Sequence, residues 1–322
     1  MSSSAIIFGP VPSRRFGRSL GINNIPLKAC TYSCVYCQVG CTFHKEIEPR
    51  TFYRPDEILQ QVSARIEALH KKGEKIDYLT FVPDGEPSLD AHLGKIIDLL
   101  SPFNLKIAVI SNASLLWRHE VRQSLARADV VSVKIDAVDE HTWQKINRPH
   151  RTLLLKNILA GIKKFSKEFR GQLFTETMLV KGLNDSVKSI TGIADFIAGL
   201  SPDKAYVALP IRPPAKQGVI PPESKTMFSA YQIYKKKIAH TELLVEYEGD
   251  NFATSGNIRD ELLRIISVHP LRKETVDRLL KSADAGHEVI DALIREKKMR
   301  MTQYQGNKFY IRNVEPTRRE KP

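Results

Sequence analysis

Three cysteines near the start of the chain are the residues whose type and spacing best suit chemistry. Cys30, Cys34 and Cys37 follow a C-x3-C-x2-C pattern, on a loop directly after the first predicted strand. Three thiolates can bind three irons of a cubane cluster and leave the fourth iron open to another molecule. The spacing therefore predicts one [4Fe-4S] cluster with three cysteine ligands, able to pass an electron to a bound cofactor.

Other uses of these cysteines also fit the sequence at this point. All four cysteines of the chain lie between Cys30 and Cys41, so a framework of long-range disulfides is not expected. A four-thiolate zinc site or an electron-transfer cluster would use all four. Neither of these alternatives requires a following barrel with polar residues at its strand ends, and this sequence predicts one.

Short β-branched runs alternate with amphipathic stretches between residues 20 and 250, which is typical of parallel strands joined by helices. The clearest helix begins at Pro55 and ends before Gly73. The predicted strands cover residues 20–26, 78–83, 106–111, 130–137, 174–180 and 204–211. We expect these six βα units to form an α/β fold.

The strand at residues 130–137 indicates what kind of sheet this is. Its two faces alternate, with Val131, Val133 and Ile135 on one side and Ser132, Lys134 and Asp136 on the other. An apolar face suits packing against outer helices, and a polar face suits a wet interior. We therefore predict a partial (βα)6 barrel of the TIM-like type, with a doubly wound open sheet as the alternative.

The pattern changes after about residue 251. Three short amphipathic helices are followed by two β-rich runs around Gly306-Asn307, a pair typical of hairpin turns. This order predicts a winged-helix domain. We place the barrel at residues 1–252, the winged helix at 253–312 and a disordered tail at 313–322, because the tail is charged and has no apolar period.

Composition limits the location and the partners of the protein. No apolar run is long enough to span a bilayer, and the first residues lack the basic region of a secretory signal. We expect a cytoplasmic protein without a membrane partner. The net charge of +13 favours anionic partners, although an ordinary basic surface would give the same value.

Two motifs together resemble the radical S-adenosylmethionine superfamily over about residues 1 to 250. They are the cysteine triplet with Tyr36 before its third member, and Asp84-Gly85-Glu86-Pro87 after the second predicted strand. The resemblance implies that the cluster cleaves S-adenosylmethionine to a 5′-deoxyadenosyl radical, which abstracts hydrogen from a substrate held away from water. The superfamily usually has Gly-Gly-Glu in the second motif, so Asp84 is a departure.

The same resemblance implies which residues bind the cofactor. Gly85 allows close approach of the backbone, and Glu86 supplies a carboxylate. Polar groups at the ends of barrel strands are further candidates, with helix capping or structural hydrogen bonding as the alternative for each. The cofactor-binding candidates are Tyr36, Gly85, Glu86, Ser111, Asn112, Asp136 and Glu176, and Lys134 is a candidate catalytic residue.

Within the superfamily, the segments at residues 9–15, 18–21, 146–149 and 180–185 resemble the group that includes the tricyclic-wyosine-forming synthases acting on tRNA. Those enzymes hold a second cluster with additional N-terminal cysteines. This sequence has no cysteine before Cys30, so we expect one cluster and describe the chain as wyosine-synthase-like.

The resemblance implies tRNA or another anionic substrate, and an electron donor such as flavodoxin or ferredoxin. Arg14 and Arg15 are candidate catalytic residues, since guanidinium groups match phosphate and carboxylate geometry. The alternative is that both arginines are simply solvated.

Two other functions fit the sequence. The chain can be an activase of a glycyl-radical enzyme, or a peptide-modifying enzyme whose winged helix recruits the peptide. From another class, it can be a redox-responsive iron-sulfur protein that binds DNA. The third C-terminal helix carries acidic and basic residues side by side, which does not single out DNA binding.

Overall fold

The computed structural model describes residues 6–26, 28–245 and 257–313. Its main sheet has eight strands whose spatial order is their chain order. The first strand is antiparallel to the second, and the others are parallel. The strands are β1 (Ile7–Ser13), β2 (Gly17–Ile22), β3 (Tyr78–Phe81), β4 (Lys106–Ser111), β5 (Val130–Lys134), β6 (Gln172–Met178), β7 (Lys204–Ala208) and β8 (Thr241–Leu244).

The sheet curls into a half-barrel, which confirms the predicted α/β class. The six predicted strands correspond to β2 through β7, and the two edge strands were not predicted. Strand β1 contains Gly9, Pro10 and Pro12, and such residues normally argue against a strand unless it lies at an edge. Strand β8 has only four residues, too short for a clear alternation.

Seven helices follow the strands and cover the outer face of the sheet. They are α1 (Pro55–His70), α2 (Leu93–Leu100), α3 (His119–Leu125), α4 (Glu140–Asn147), α5 (Leu155–Glu168), α6 (Val187–Ala198) and α7 (Ser224–Lys237). In α1, Ile58, Val62 and Leu69 form the buried face, as the 3.6-residue period predicts. Gly73 then adopts a φ of +70° in the turn that follows. None of the helices in the described ranges is long and apolar enough to cross a membrane.

The interior of the half-barrel is partly apolar, a layer that the alternation of residues 130–137 did not predict. Val130 lies on the same face of β5 as Ser132 and Lys134 and belongs to a buried cluster with Phe16 and Phe174. The rings of Phe16 and Phe174 stack with their centroids 6.1 Å apart. Because β5 ends at Lys134, only the last polar position of its inner face lies at the carboxyl edge of the sheet.

The C-terminal elements are three helices and a small antiparallel sheet. They are α8 (Ile258–Val268), β9 (Leu271–Arg272), α9 (Lys273–Ser282), α10 (Glu288–Arg295), β10 (Met299–Tyr304) and β11 (Asn307–Arg312). The hairpin turn is Gln305-Gly306 and not the predicted Gly306-Asn307. Gln305 and Gly306 have the positive φ angles, 48° and 76°, that such a turn requires. The predicted boundary after residue 252 and, apart from Asn313, the predicted tail lie outside the described residues.

The C-terminal elements pack against the first hairpin of the barrel. Phe8 and Val11 of β1 share one apolar cluster with Leu262 and Ile265 of α8. Beside this cluster, Arg65 of α1 pairs with Glu261 of α8 at 2.7 Å, and both side chains are buried. Residues far apart in sequence are thereby held at the same edge of the barrel.

Candidate active site

A cavity of about 230 Å³ lies at the carboxyl ends of the parallel strands. Parallel strands present their carboxyl ends at one edge, so side chains from separate strands converge there. All the predicted site residues except Asp136 line it. They are Arg14, Arg15, Cys30, Cys34, Tyr36, Cys37, Gly85, Glu86, Ser111, Asn112, Lys134 and Glu176.

Each of the three cavity cysteines has a nitrogen donor close to its sulfur. The side-chain nitrogens of Asn112, Asn147 and Lys28 lie 3.6, 3.4 and 3.5 Å from the Sγ atoms of Cys30, Cys34 and Cys37, respectively. Such donors favour the thiolate form and tune a metal centre that the sulfurs bind. The role of these three side chains as donors to sulfur could not be predicted from the sequence, because such donors have no fixed spacing.

Burial disfavours ionised thiols in this cavity. It raises the pKa of Cys30 to about 12, with a further contribution from the Glu86 carboxylate. The pKa of Cys34 is also raised, first by burial and then by Asp136. Iron cations would replace these protons, because thiolate ligands bind metal in deprotonated form. The three sulfurs, their donors and the low polarity around them therefore fit the predicted cluster.

Cys41 is set apart from the other three cysteines. It does not line the cavity, and its Sγ lies 3.7 Å from the carbonyl oxygen of Ala215. Within the described ranges, no three Cys, His, Asp or Glu side chains are grouped to hold a single metal ion. This arrangement does not support the four-thiolate zinc alternative.

The turn after β3 brings backbone very close to the cysteine loop. A Cβ atom at Gly85 would lie 1.8 Å from the carbonyl oxygen of Ala29, so only glycine fits there. The Glu86 carboxylate accepts hydrogen bonds from Ser88 Oγ at 2.6 Å, Ser111 Oγ at 2.7 Å and the Asn112 backbone N–H at 2.7 Å. Burial raises the pKa of Glu86, and these donors oppose that shift. Glu86 thus fixes the ends of two strands beside the cavity.

Lys134 and Glu176 form an ion pair on the cavity wall. Lys134 Nζ lies 2.7 Å from Glu176 Oε1 and 5.2 Å from the centroid of the Tyr36 ring. The Arg15 guanidinium also pairs with Glu176. Burial lowers the pKa of Lys134 and lowers that of Arg15 to about 10. One carboxylate is therefore shared by two cations.

Asp136 does not line this cavity. Its carboxylate instead forms hydrogen bonds that hold the cysteine loop in place. Its carboxylate accepts hydrogen bonds from the Tyr36 hydroxyl, from Asn147 Nδ2 at 2.7 Å and from the Met178 backbone N–H at 2.9 Å. β5 ends at Lys134, so the alternation of its side chains does not continue to Asp136. The Asp136 side chain therefore does not point into the cavity as that of Lys134 does. Asp136 thereby orients Tyr36 and the Asn147 donor to Cys34.

Arg212 contacts Gln38 and His269, two residues of the site region that the sequence did not single out. Arg212 lines the cavity and donates to Gln38 Oε1 at 2.9 Å, and its second terminal nitrogen lies 2.8 Å from His269 Nε2. Burial, and then Arg212, hold the pKa of His269 well below its usual range. A neutral His269 accepts from Arg212 at Nε2 and donates from Nδ1 to the Pro270 carbonyl, 3.1 Å away. The position of Arg212 after β7 was a usable signal, but His269 had none.

The cavity wall carries more positive than negative side chains. Arg14, Arg15, Lys134 and Arg212 face two carboxylates, Glu86 and Glu176. Arg14 is half-buried, and burial lowers its pKa to about 10, so it stays charged at neutral pH. Arg18, in contrast, pairs with Glu74 and is not part of the wall. The wall is suited to an anionic group.

The chain is similar to several known proteins. A UPF0026 protein of Methanocaldococcus jannaschii is 44% identical over 96% of this chain and 96% of its own length. A UPF0026 protein of Helicobacter pylori is 31% identical over 95% of this chain and 97% of its own length. A solved structure of TYW1 shares the fold, with a TM-score of 0.53 and 14% identity over 70% of this chain and 76% of that chain.

The family model of the Radical SAM superfamily matches residues 24–192, a range that contains the cysteines, Gly85, Lys134 and Glu176. Membership implies a [4Fe-4S] cluster and S-adenosylmethionine, and the cavity residues fit both. The chain is an enzyme that belongs to the radical SAM superfamily.

Proposed function

We propose that this enzyme abstracts hydrogen from a substrate that carries a phosphate or carboxylate group, and that it is a wyosine-synthase-like enzyme acting on tRNA. The excess of cations on the cavity wall is the observation that carries the proposal. Four basic side chains face two carboxylates, and Glu86 already accepts hydrogen bonds from three neighbouring residues. A wall that carries four basic side chains attracts an anionic substrate.

The cofactors have definite candidate ligands in this proposal. Cys30, Cys34 and Cys37 hold one cluster, and Cys41 takes no part. The backbone at Gly85 and the side chains at the ends of β4 to β6 bind S-adenosylmethionine. When bound, the two cofactors supply one-electron cleavage of a carbon-sulfur bond and hydrogen abstraction.

The protein's own groups position the reactants. Glu176 holds Lys134 and Arg15 in place through two ion pairs. Arg14 and Arg212 bind the anionic part of the substrate, with His269 as the positioning residue for Arg212. The apolar cluster around Phe16 closes the interior behind the cavity and limits the access of water from that side.

Lys134 is the lysine on the cavity wall and the candidate catalytic residue. Burial lowers its pKa, which raises the fraction of free amine, the form that attacks a carbonyl carbon. The related fold of TYW1 has been solved with a lysine-pyruvate adduct. We propose a comparable catalytic role for Lys134, with a carbonyl compound as co-substrate.

The C-terminal elements, from Ile258 to Arg312, support the assignment of a winged-helix domain. Their order is helix, short strand, two helices and a hairpin, and the short strand pairs with the last strand. Arg212 is held by His269 of this unit. We therefore propose that the unit completes the active site as well as recruiting the substrate.

Analysis of tRNA after turnover tests the proposed substrate. Cluster-loaded enzyme is incubated anaerobically with dithionite, S-adenosylmethionine, bulk tRNA and a 2-oxo acid such as pyruvate, and the nucleosides are analysed by mass spectrometry. We expect a new modified guanosine that is lost in Lys134→Met. Unchanged nucleosides, with continued release of 5′-deoxyadenosine, would reject tRNA as the substrate while leaving the radical chemistry intact.

A further inference from the structure

A basic groove lies on the outer side of the cysteine loop. It has a volume of about 420 Å³ and is lined by Lys145, Arg148, Lys181 and Lys216. Lys145, Lys181 and Lys216 are exposed, and Arg148 is half-buried. Lys181 pairs with Glu223 at the rim, but no carboxylate lines the groove within the ranges that the structure describes. The groove is therefore strongly positive.

The floor of this groove is the cysteine loop itself. Val35, between Cys34 and Cys37, lines the groove and is buried. It packs in a small apolar cluster with Ile146, Val180 and Val219, and Cys34 contacts that cluster. The backbone N–H of Lys216 donates to the Val35 carbonyl at 3.0 Å. A molecule seated in the groove would thus contact Val35, which is next to Cys34 and two positions before Cys37.

The groove and the cavity lie on opposite sides of the loop. Cys34, Tyr36 and Cys37 line the cavity, whereas Val35 lines the groove. The two have no lining residue in common. The residues that would hold a substrate in the cavity therefore take no part in the groove.

We propose that this groove is the docking site of a small acidic electron-carrier protein with a flavin or iron-sulfur centre. This inference rests on the proposed three-cysteine cluster. In the docked complex the carrier is oxidised by one electron and the cluster is reduced by one electron, and no bond forms or breaks in the groove. The charge, the apolar floor and the closeness to Cys34 all match what a transient electron-transfer partner requires.

The observations favour a protein carrier over RNA at this place. A target base has to reach the cavity, and the groove does not share its wall. Electron carriers use small interfaces whose charges speed the encounter. The apolar residues Val35, Val180, Leu183 and Val219 line the groove among its basic side chains, a combination that suits such an encounter.

Charge reversal in the groove tests the proposal. We would replace Lys145 and Lys216 in one protein, as Lys145→Glu with Lys216→Glu, because both side chains are exposed and the Lys216 contact to Val35 uses the backbone. The matched control is Lys235→Glu with Lys236→Glu on α7, which makes the same change in net charge at exposed positions away from the groove. The probe is an acidic flavodoxin, and its binding to the cluster-loaded proteins is measured by biolayer interferometry.

We expect the groove variant to bind flavodoxin about tenfold more weakly than the control variant does. Release of 5′-deoxyadenosine driven by reduced flavodoxin should fall to a similar extent, while release driven by dithionite should stay at the wild-type rate. The neutral variant, Lys145→Gln with Lys216→Gln, should lower both the binding of flavodoxin and the flavodoxin-driven release of 5′-deoxyadenosine, but less than the Glu variant does.

Equal flavodoxin binding by the groove and control variants would overturn the proposal. The same holds if the groove variant loses binding of bulk tRNA and keeps that of flavodoxin, since the groove would then be an RNA surface. Wild-type protein that releases no 5′-deoxyadenosine even with dithionite would instead contradict the proposed chemistry, which the binding measurement does not depend on.

Discussion

Arg312 Nη1, at the end of β11, lies 3.3 Å from Asp84 Oδ2 in the turn that follows β3. The Asp84 side chain is buried, whereas that of Arg312 is 36% exposed. Asp84 stands where the superfamily pattern usually has glycine, and Gly85 and Glu86 follow it on the cavity wall. The departure from the pattern thus coincides with a contact that links the C-terminal unit to the proposed cofactor-binding turn.

This pair predicts a pH-dependent effect of Asp84→Asn. Burial raises the pKa of Asp84 from 3.8 to about 7, although Arg312 opposes the shift. The folded state therefore holds a proton that the unfolded state has lost between those two values, so the carboxyl group makes folding less favourable as pH rises through that range. We expect the melting temperature of Asp84→Asn, relative to wild type, to increase between about pH 5 and about pH 8.

Melting curves of both proteins at the two pH values check this, with Asp56→Asn on the exposed start of α1 as the control. If Asp84→Asn loses more stability at the higher pH than at the lower one, the ion pair with Arg312 outweighs the desolvation of Asp84.

The cysteine assignment predicts different outcomes for neighbouring substitutions. Replacing Cys30, Cys34 or Cys37 with Ala removes a proposed iron ligand, so we expect loss of the intact cluster and of cofactor cleavage. Cys41→Ala should keep both, because Cys41 lies outside the cavity. Iron content and the visible absorbance of anaerobically reconstituted proteins give the readings. Loss of iron in Cys41→Ala, with retention in Cys30→Ala, would show that the ligand set is different.

Removal of residues 253–322 should destabilise the barrel and not merely prevent recruitment of a substrate. Phe8 and Val11 would lose their apolar cover, and Arg65 would lose its buried partner Glu261. Exposing a Phe or Val side chain to water costs about 1.5–3 kcal/mol each. We expect a melting temperature lower by about 5 °C or more, measured by scanning calorimetry. A truncated protein with the same melting temperature as the full chain would show that these contacts contribute little to stability.

The proposed tRNA partner predicts a steep dependence of binding on salt. Neutralised phosphates release counterions, so six contacts would weaken binding on the order of a thousandfold between about 50 and about 200 mM salt. Filter binding with bulk tRNA gives the slope. Arg14 and Arg15 line the cavity and are not on an open surface. Their joint replacement by Ala should therefore reduce the salt dependence of binding by the equivalent of about two phosphate contacts at most. Absence of tRNA binding even at the lowest salt would favour a peptide or another small anion.

Much of the site could be predicted from the sequence because parallel strands end at a common edge. The cysteine loop, Gly85, Lys134 and Glu176 follow or end different strands, and the α/β pattern alone brings such residues together. The contacts of His269 and Arg312 could not be predicted, because they join segments with no shared period. The orientation of Asp136 depends on where β5 ends. The alternation of residues predicted a strand that reaches residue 137, but β5 ends three positions earlier, at Lys134.

The most direct measurement of the central claim is the anaerobic release of 5′-deoxyadenosine. Wild-type protein reconstituted with iron and sulfide is mixed with dithionite and S-adenosylmethionine, and the products are separated by liquid chromatography and identified by mass spectrometry. The account predicts 5′-deoxyadenosine and methionine in wild type and in Cys41→Ala, and neither product in Cys30→Ala, Cys34→Ala or Cys37→Ala. Fully cluster-loaded wild-type protein that releases no 5′-deoxyadenosine, or a Cys34→Ala variant that releases it at the wild-type rate, would contradict the account.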